Sequence, residues 1–288
     1  MTATAGTAGT AGTAGTAGQS KVTELTYYPV KGCAGITLPG ARLTPDGLPH
    51  DRAYVVVDEA GELRWQWGDP RLALITPHSV DDSGELTLRA PDRGDLRVDG
   101  KGQADRITDL PGQPYGAVDQ GEEAAAWVTG VLGRPSRLLR VRKAPGGTTA
   151  NHSRLHVVSR ASLDRLNGHL AERGVAPLPM NRFRPNVVVD GWTTPHTEDT
   201  APRLLIGDAE LALTELTVRC AITMVDQETG RRAGPEPLRT LADYRRAEDG
   251  IVFGAYFTVV REGKVTVGDA VEVAVEDAVE VAVEVMDA

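Results

Sequence analysis

Cys220 is one of two cysteines in the chain. It lies in Val218-Arg219-Cys220-Ala221-Ile222-Thr223-Met224-Val225-Asp226-Gln227, where a strand-like run gives way to a polar loop. A thiol in that position is compatible with two chemistries: a soft ligand for a metal, or a buried structural thiol. Two other segments carry donors suited to anions. In Tyr28-Pro29-Val30-Lys31-Gly32-Cys33-Ala34-Gly35 a strand-like run ends in a loop with two glycines. Such a loop either turns its backbone N–H groups toward an anion beside Lys31 or is an ordinary tight turn. In Asn181-Arg182-Phe183-Arg184-Pro185-Asn186 the alternation places Arg182, Arg184 and Asn186 on one strand face. That face offers several donors to an anionic or heterocyclic ligand, or is a solvated strand end. Asp51-Arg52 precedes another strand and supplies a further cation or a surface ion pair.

The remaining chemistry-bearing residues exclude more than they propose. His152 and His156 are four apart, but the region reads as loop then strand, so the spacing does not align them. No third ligand completes a zinc site. A Walker loop, a Gly-x-Ser-x-Gly elbow and a dinucleotide fingerprint are all absent. Trp65 and Trp67, on one predicted strand face, read as core or interface. With 31 basic and 40 acidic residues the formal charge is −9, without the basic footprint of a nucleic-acid binder. An anionic ligand must therefore be held by a few aimed cations. No apolar run reaches the roughly 20 residues that span a bilayer, and no signal peptide is recognisable. A cytoplasmic location with Cys33 and Cys220 as free thiols is expected. Two cysteines are too few for a four-thiolate iron–sulfur cluster.

The elements that must position these residues are mostly short strands. Strands are predicted at Val22–Pro29, Gly40–Thr44, Ala53–Asp58, Leu63–Trp67, Leu72–Ser79, Leu86–Arg89 and Arg137–Val141, with a helix at Gln120–Leu132. The stretch Pro145-Gly146-Gly147-Thr148 reads as a domain junction. Beyond it, a strand at His156–Ser159 leads into a helix from Ser159 to Leu170, with Ser159 as N-cap. Strands follow at Asn186–Val189, Arg203–Ile206, Ala209–Thr217 and Arg219–Met224, then a short helix at Leu238–Arg245. Ala255–Arg261 and Lys264–Val267 read as a hairpin around Glu262-Gly263. The expected fold is α+β and β-rich: an N-terminal β-barrel-like domain (21–145) packed on a C-terminal β-barrel (146–275) with a few helices. Residues 1–20 are a low-complexity tail, with a Thr-Ala-Gly repeat from Thr2 to Gly18, expected to be disordered. Residues 276–288 continue a Val/Glu repeat whose first copy is expected to close the last sheet.

Taken together, three segments resemble the signature stretches of MOSC-domain proteins: Tyr28 to Gly35, Arg182 to Asn186, and Arg219 to Gly230. The likeness is to those members with an N-terminal MOSC β-barrel domain, including the mitochondrial amidoxime-reducing component and its bacterial counterparts. Asp51-Arg52, Leu155 to Ser159, Leu205 to Asp208, Pro237 to Arg245 and Phe253 to Phe257 agree in order, so the resemblance covers about residues 21–273. It implies a molybdenum cofactor (molybdopterin) with Cys220 as the protein thiolate on molybdenum. Lys31, Gly32, Arg52, Ser159, Arg184, Asn186 and Arg219 would bind the cofactor, and Asp226 is the candidate for proton delivery or a turn-stabilising residue. The implied activity is reduction of N-oxygenated small molecules, with electrons from a separate flavin, iron–sulfur or haem protein, and no nucleic-acid or membrane partner. The alternative is a non-catalytic carrier of the cofactor or of sulfur. Two positions depart from the family pattern. Gly32 stands where serine is frequent, and Met224 stands where a second hydroxyl is usual, which places substrate range in question.

Overall fold

The computed structural model describes residues 20–80, 84–110, 113–142 and 154–274. The 145/146 junction, the N-terminal repeat and the late C-terminal copies lie outside the described residues.

Alternating burial builds the first unit. Along Tyr54–Val57 all four residues are buried. Tyr54 and Val56 point into a core with Leu72, Leu86, Leu88 and the apolar face of helix α1 (Glu122–Leu132), whereas Val55 and Val57 meet Ala117, Leu139 and Val141 on the other face. Period-2 side-chain alternation requires this two-sided burial. The strand belongs to a four-stranded sheet in the order Tyr54–Val57, Arg137–Val141, Gln113–Asp119, Ala104–Leu110. A three-stranded sheet (Thr76–Val80, Leu86–Arg89, Leu96–Val98) covers the core from another side. The predicted strand Leu63–Trp67 is not formed. Leu63 makes an isolated bridge to Val57, the chain then turns, and Trp65 is 44% exposed. The predicted strand at Leu72 is in part a 3-10 turn, Pro70–Leu74, with strand only from Thr76.

The second unit is a closed barrel, and the N-terminal segment is one of its staves. Its sheet runs Ile36–Thr37, Lys21–Tyr27, Val187–Asp190, Arg154–Ser159, Gly250–Arg261, Ala209–Val218, Arg203–Ile206, Val271–Ala274. The path returns to its start. Lys21 bridges Ala270, and Val22 N donates to Asp269 O at 2.9 Å while Gly268 N donates to Val22 O at 2.8 Å. The inward set (Val22, Leu25, Leu155, Val157, Val187, Val189, Leu211, Phe257) forms one core. The first Val/Glu copy closes the barrel as expected, Val271–Ala274 pairing with Arg203–Ile206. Helices α2 (Arg160–Glu172) and α3 (Leu238–Tyr244) pack through Leu163, Leu166, Leu170 and Leu241 on Val158, Val188 and Phe253 at its outside. Among the described residues no helix is long and apolar enough to cross a membrane.

One predicted hairpin is replaced by a longer-range pairing. Gly263–Thr266 pairs with Gly40–Leu43, residue 263 opposite residue 43, and not with Gly250–Arg261. A two-residue turn signal fixes where the chain bends but not which strand offers the complementary buried face. Here Val265 and Leu43 are both drawn into the barrel core.

Candidate functional site

Loops that end barrel strands converge on a cleft of about 220 Å³. Five cations line it: Lys31, Arg52, Arg154, Arg184 and Arg219, with Cys220 among them. No carboxylate belongs to this lining. The acidic groups nearby sit behind the arginines: Arg52 pairs with Asp51 and Arg154 with Glu215.

Lys31 and Gly32 come from the loop after Lys21–Tyr27. Gly32 has φ +83°, a conformation that glycine adopts without the steric cost borne by other residues. Its carbonyl accepts from Gln66 Nε2 at 2.7 Å. Burial lowers Lys31 to a pKa of about 8, with Arg52 acting in the same direction and Cys220 opposing. Arg52 also has positive φ, 53°, and its backbone N–H donates to Tyr28 O at 2.7 Å. Burial opposes its charge, but Asp51, Tyr256 and Tyr28 together outweigh burial and the net shift is upward. The guanidinium of Arg52 lies 4.8 Å from the Tyr28 ring centroid and that of Arg184 lies 4.2 Å from it. Tyr28 is thus a cation–π platform for two guanidiniums. Arg184, at φ 55°, is lowered by burial to about 10.

The Cys220 segment differs from the predicted strand. Ala209–Val218 ends before the cysteine, and Ala221–Met224 is a 3-10 turn with Cys220 as its N-cap. Thr223 Oγ1 donates to Cys220 O at 3.1 Å. Strand alternation therefore does not separate Arg219 from Cys220. Both line the cleft, as do Val218 and Ile222, whereas Met224 does not. Cys220 is exposed and Cys33 buried, and burial lifts the Cys33 thiol to about 12. The two thiols accordingly differ in accessibility to chemistry.

Arg182 to Asn186 likewise do not form one strand face. Met180–Arg182 is a 3-10 turn, Arg184 is left-handed, and the strand begins at Val187. Pro185, which cannot donate to a ladder, stands at this irregular start. Arg182 points away from the cleft and donates to Thr223 O and Asp226 Oδ2, both at 3.2 Å. Asn186 is buried and fully engaged. Its Oδ1 accepts from Arg52 Nη1 at 3.0 Å and His156 N at 3.1 Å, and its Nδ2 donates to Thr26 O at 3.0 Å. It orients Arg52 and does not itself line the cleft.

Ser159 is also outside the lining. It is fully buried as the N-cap of α2, its Oγ accepting from Ser162 N at 3.1 Å. Asp226 is held by Arg182 and by Thr229 N and Oγ1, both at 2.8 Å. Local hydrogen bonds, those from Thr229 foremost, keep its carboxyl below the usual range. These are turn-stabilising contacts, and Asp226 is not among the lining residues.

Six lining residues were not among the sequence candidates: Arg154, His156, Phe183, Val218, Ile222 and Tyr256. Leu155 and Val157 face the barrel core, so alternation along Arg154–Ser159 puts Arg154 and His156 on the other face. His156 stands opposite Tyr256 in the sheet. Its Nε2 lies 3.3 Å from Phe253 O and 3.4 Å from Arg219 Nη1. Burial, and then Arg219, hold it well below its usual pKa range. Arg219 Nη2 donates to Phe183 O at 2.9 Å, while its buried Nε has no partner. Gln66, which holds Gly32, is itself tied to Gln227 through amide hydrogen bonds of 3.0 Å in both directions.

Residues 19–135 match the MOSC N-terminal beta barrel domain, and residues 146–272 match the MOSC domain. The chain is 33% identical over 282 residues to mitochondrial amidoxime-reducing component 1 of Mus musculus, covering 87% of this chain and 81% of that protein. This chain belongs to the MOSC-domain proteins with an N-terminal MOSC β-barrel domain. The human amidoxime-reducing component 1 is 32% identical over the same share of this MOSC chain and 82% of its own. The molybdenum cofactor sulfurase of Oryza sativa is 29% identical over 256 residues, covering 79% of this chain but only 31% of the sulfurase.

Proposed function

We propose that this MOSC protein is a molybdenum-cofactor-dependent reductase of N-oxygenated compounds: N-hydroxylated amidines, hydroxylamines and N-oxides. The observation that carries the reading is an exposed thiol in a cleft whose charged lining is entirely cationic. The residues fit the group. Lys31 and Arg184 are desolvated cations whose lowered pKa values reflect unmet demand for negative charge, and the buried Arg219 Nε lacks an acceptor. A phosphate-bearing pterin dithiolene answers both. Named relatives include amidoxime-reducing components and a cofactor sulfurase.

When bound, the cofactor would supply two-electron oxygen-atom-transfer chemistry. Cys220 would hold its metal with a soft thiolate. Lys31, the Gly32 backbone, Arg52, Arg184 and Arg219 neutralise and orient the anionic parts, and Arg154 is added to that set. Asn186 acts behind Arg52. The Tyr28 ring holds Arg52 and Arg184 near one another despite their like charge. The net reaction consumes two electrons and two protons and releases the reduced nitrogen compound and water. Those electrons come from a separate flavin, iron–sulfur or haem protein, since two cysteines cannot hold a four-thiolate cluster. Two unpaired thiols fit the reducing, cytoplasmic setting expected from the sequence, although the named amidoxime-reducing relatives are mitochondrial.

Protein purified from a cofactor-sufficient host is expected to contain near-stoichiometric molybdenum and pterin. It should also reduce an amidoxime with an artificial electron donor. Cys220→Ala is expected to abolish turnover and alter the metal's coordination spectrum. Folded protein without molybdenum or pterin overturns the cofactor reading. Loaded protein that shows no turnover but delivers its cofactor to an apo-enzyme establishes the carrier function instead.

A further inference from the structure

A second cluster, which lines no part of the cleft, lies in the segment between Val187–Asp190 and Arg203–Ile206, laid over the start of α2. His196, at φ 64°, caps the 3-10 turn Thr197–Asp199. One donor atom each from His196, Glu198 and Asp199 lies within 4.8 Å of the other two.

The hydrogen bonding in this cluster is lopsided in a way that points to a ligand. Glu198 is 0% exposed. Its Oε1 accepts from Ser162 Oγ at 2.6 Å and from Ser159 N at 3.2 Å, while its Oε2, equally buried, accepts from nothing. Asp199 repeats the pattern: Arg245 Nη2 donates to Oδ2, and buried Oδ1 has no partner. Both ring nitrogens of His196 are buried and unpartnered. Its backbone N–H is tied down by Ser162 Oγ at 2.8 Å.

Buried polar atoms in native proteins are nearly always satisfied. Three residues with donor atoms within 4.8 Å of one another each leave a ligand-competent atom unsatisfied. Each carboxylate has one oxygen fixed by an outer partner and one free, the arrangement in which outer-shell hydrogen bonds orient metal ligands. One imidazole nitrogen and two carboxylate oxygens, with no thiolate, suit a borderline divalent ion better than calcium or magnesium, which prefer all-oxygen shells.

We infer that His196, Glu198 and Asp199 form a zinc-class divalent metal site that pins this segment to α2. Binding draws the donors inward from their present separations. It leaves Ser159, Ser162 and Arg245 as the second layer, with open positions filled by water. Arg245 neutralises Asp199 in the metal-free chain and persists on Oδ2 when the ion is bound. Its charge and that of Arg165, which is felt at His196, limit the affinity without occupying the free donors.

The test uses the full chain carrying Cys220→Ala, so that the cleft thiol holds no ion. Chelator-treated protein is loaded with Zn²⁺, desalted and assayed for bound zinc, with Co²⁺ as a spectroscopic probe. One zinc per chain and a Co²⁺ spectrum of nitrogen and oxygen ligands are expected. Glu198→Gln keeps an acceptor for Ser159 and Ser162, and His196→Phe keeps the ring against Tyr244 and Phe253. Each is expected to weaken zinc binding by about 100-fold or more with unchanged circular dichroism. A parent chain that retains no zinc overturns the inference, as do folded variants that retain as much as the parent. Should either variant unfold, the parent's Co²⁺ spectrum decides: sulfur-type or purely aqueous bands overturn the site. Neither readout depends on molybdenum content or reductase turnover.

Discussion

Lys31 is partly buried, and among the described residues no ion pair is recorded for it. Its pKa of about 8 lies below the 10.5 of an unperturbed lysine. Below about pH 8 both the folded and unfolded chains carry the proton, and the folded state bears the full desolvation cost. Between about 8 and 10.5 the folded chain releases a proton that the unfolded chain keeps, so stability rises with pH across that window. Lys31→Met removes this slope and stabilises the cofactor-free protein by about 1–3 kcal/mol at neutral pH. It should also lower cofactor retention. Urea titrations of the cofactor-free parent and variant from pH 7 to 10 check this; parallel stability profiles would refute the assignment of the burial cost to Lys31. A residue whose removal stabilises the empty fold is one kept for its ligand. From the sequence, Lys31 was legible as an anion-facing group because a glycine-containing loop surrounds it. Arg154 was not, because nothing local distinguishes it from a surface arginine until the strand's inward set is known.

At the scale of elements, the exposed Cys220 thiol is carried by a four-residue 3-10 turn held from outside. Arg182 braces the C-terminal side of that turn, through Thr223 O and, just past its end, Asp226 Oδ2, and is itself 4% exposed. Arg182→Gln loses the bidentate reach. It leaves a buried carbonyl and a carboxylate short of a donor, which costs about 2–4 kcal/mol. The expected result is a lowered urea midpoint together with reduced molybdenum content, although Arg182 touches nothing in the cleft. Full metal content at a lowered midpoint would show that Cys220 is positioned without this brace. The sequence pattern predicted a strand over Arg219–Met224, since Cys220, Ile222 and Met224 alternate as a strand would. The turn formed because Thr223 bonds back to Cys220 O and because Arg182, forty-one residues upstream, supplies the carbonyl's partner. A distant donor leaves no periodic trace. Helix α2 was legible for the opposite reason: its cap, Ser159, and its apolar spacing are both local.

For the whole molecule, the linear order of matched regions differs from the order in which strands are hydrogen-bonded. Residues 146–272 match the MOSC domain, yet the barrel they build takes Lys21–Tyr27 between Val187–Asp190 and the bridge at Ala270. It also takes Gly40–Leu43 against Gly263–Thr266. The composition and strand spacing made two β-rich units legible, but not this exchange, because pairing partners more than 150 residues apart share only a generic apolar alternation. A chain cut at the 145/146 junction therefore does not separate into two self-sufficient halves. A fragment of residues 146–288 lacks the strand that covers Val187, Val188 and Val189 and loses Val22 and Leu25 from its core. An uncovered edge of three consecutive valines is a template for intermolecular pairing. The fragment is expected to aggregate when expressed alone, and co-expression with residues 1–145 is expected to return a soluble, stoichiometric complex. The intact chain, with its barrel shared between both regions, is expected to unfold in a single transition by far-ultraviolet circular dichroism and by tryptophan fluorescence. Three of the four tryptophans, Trp65, Trp67 and Trp127, lie in the first region. An independently folded 146–288 fragment, or fluorescence and dichroism midpoints well separated in urea, would mean that the N-terminal stave is an accessory and not part of the barrel's cooperative core.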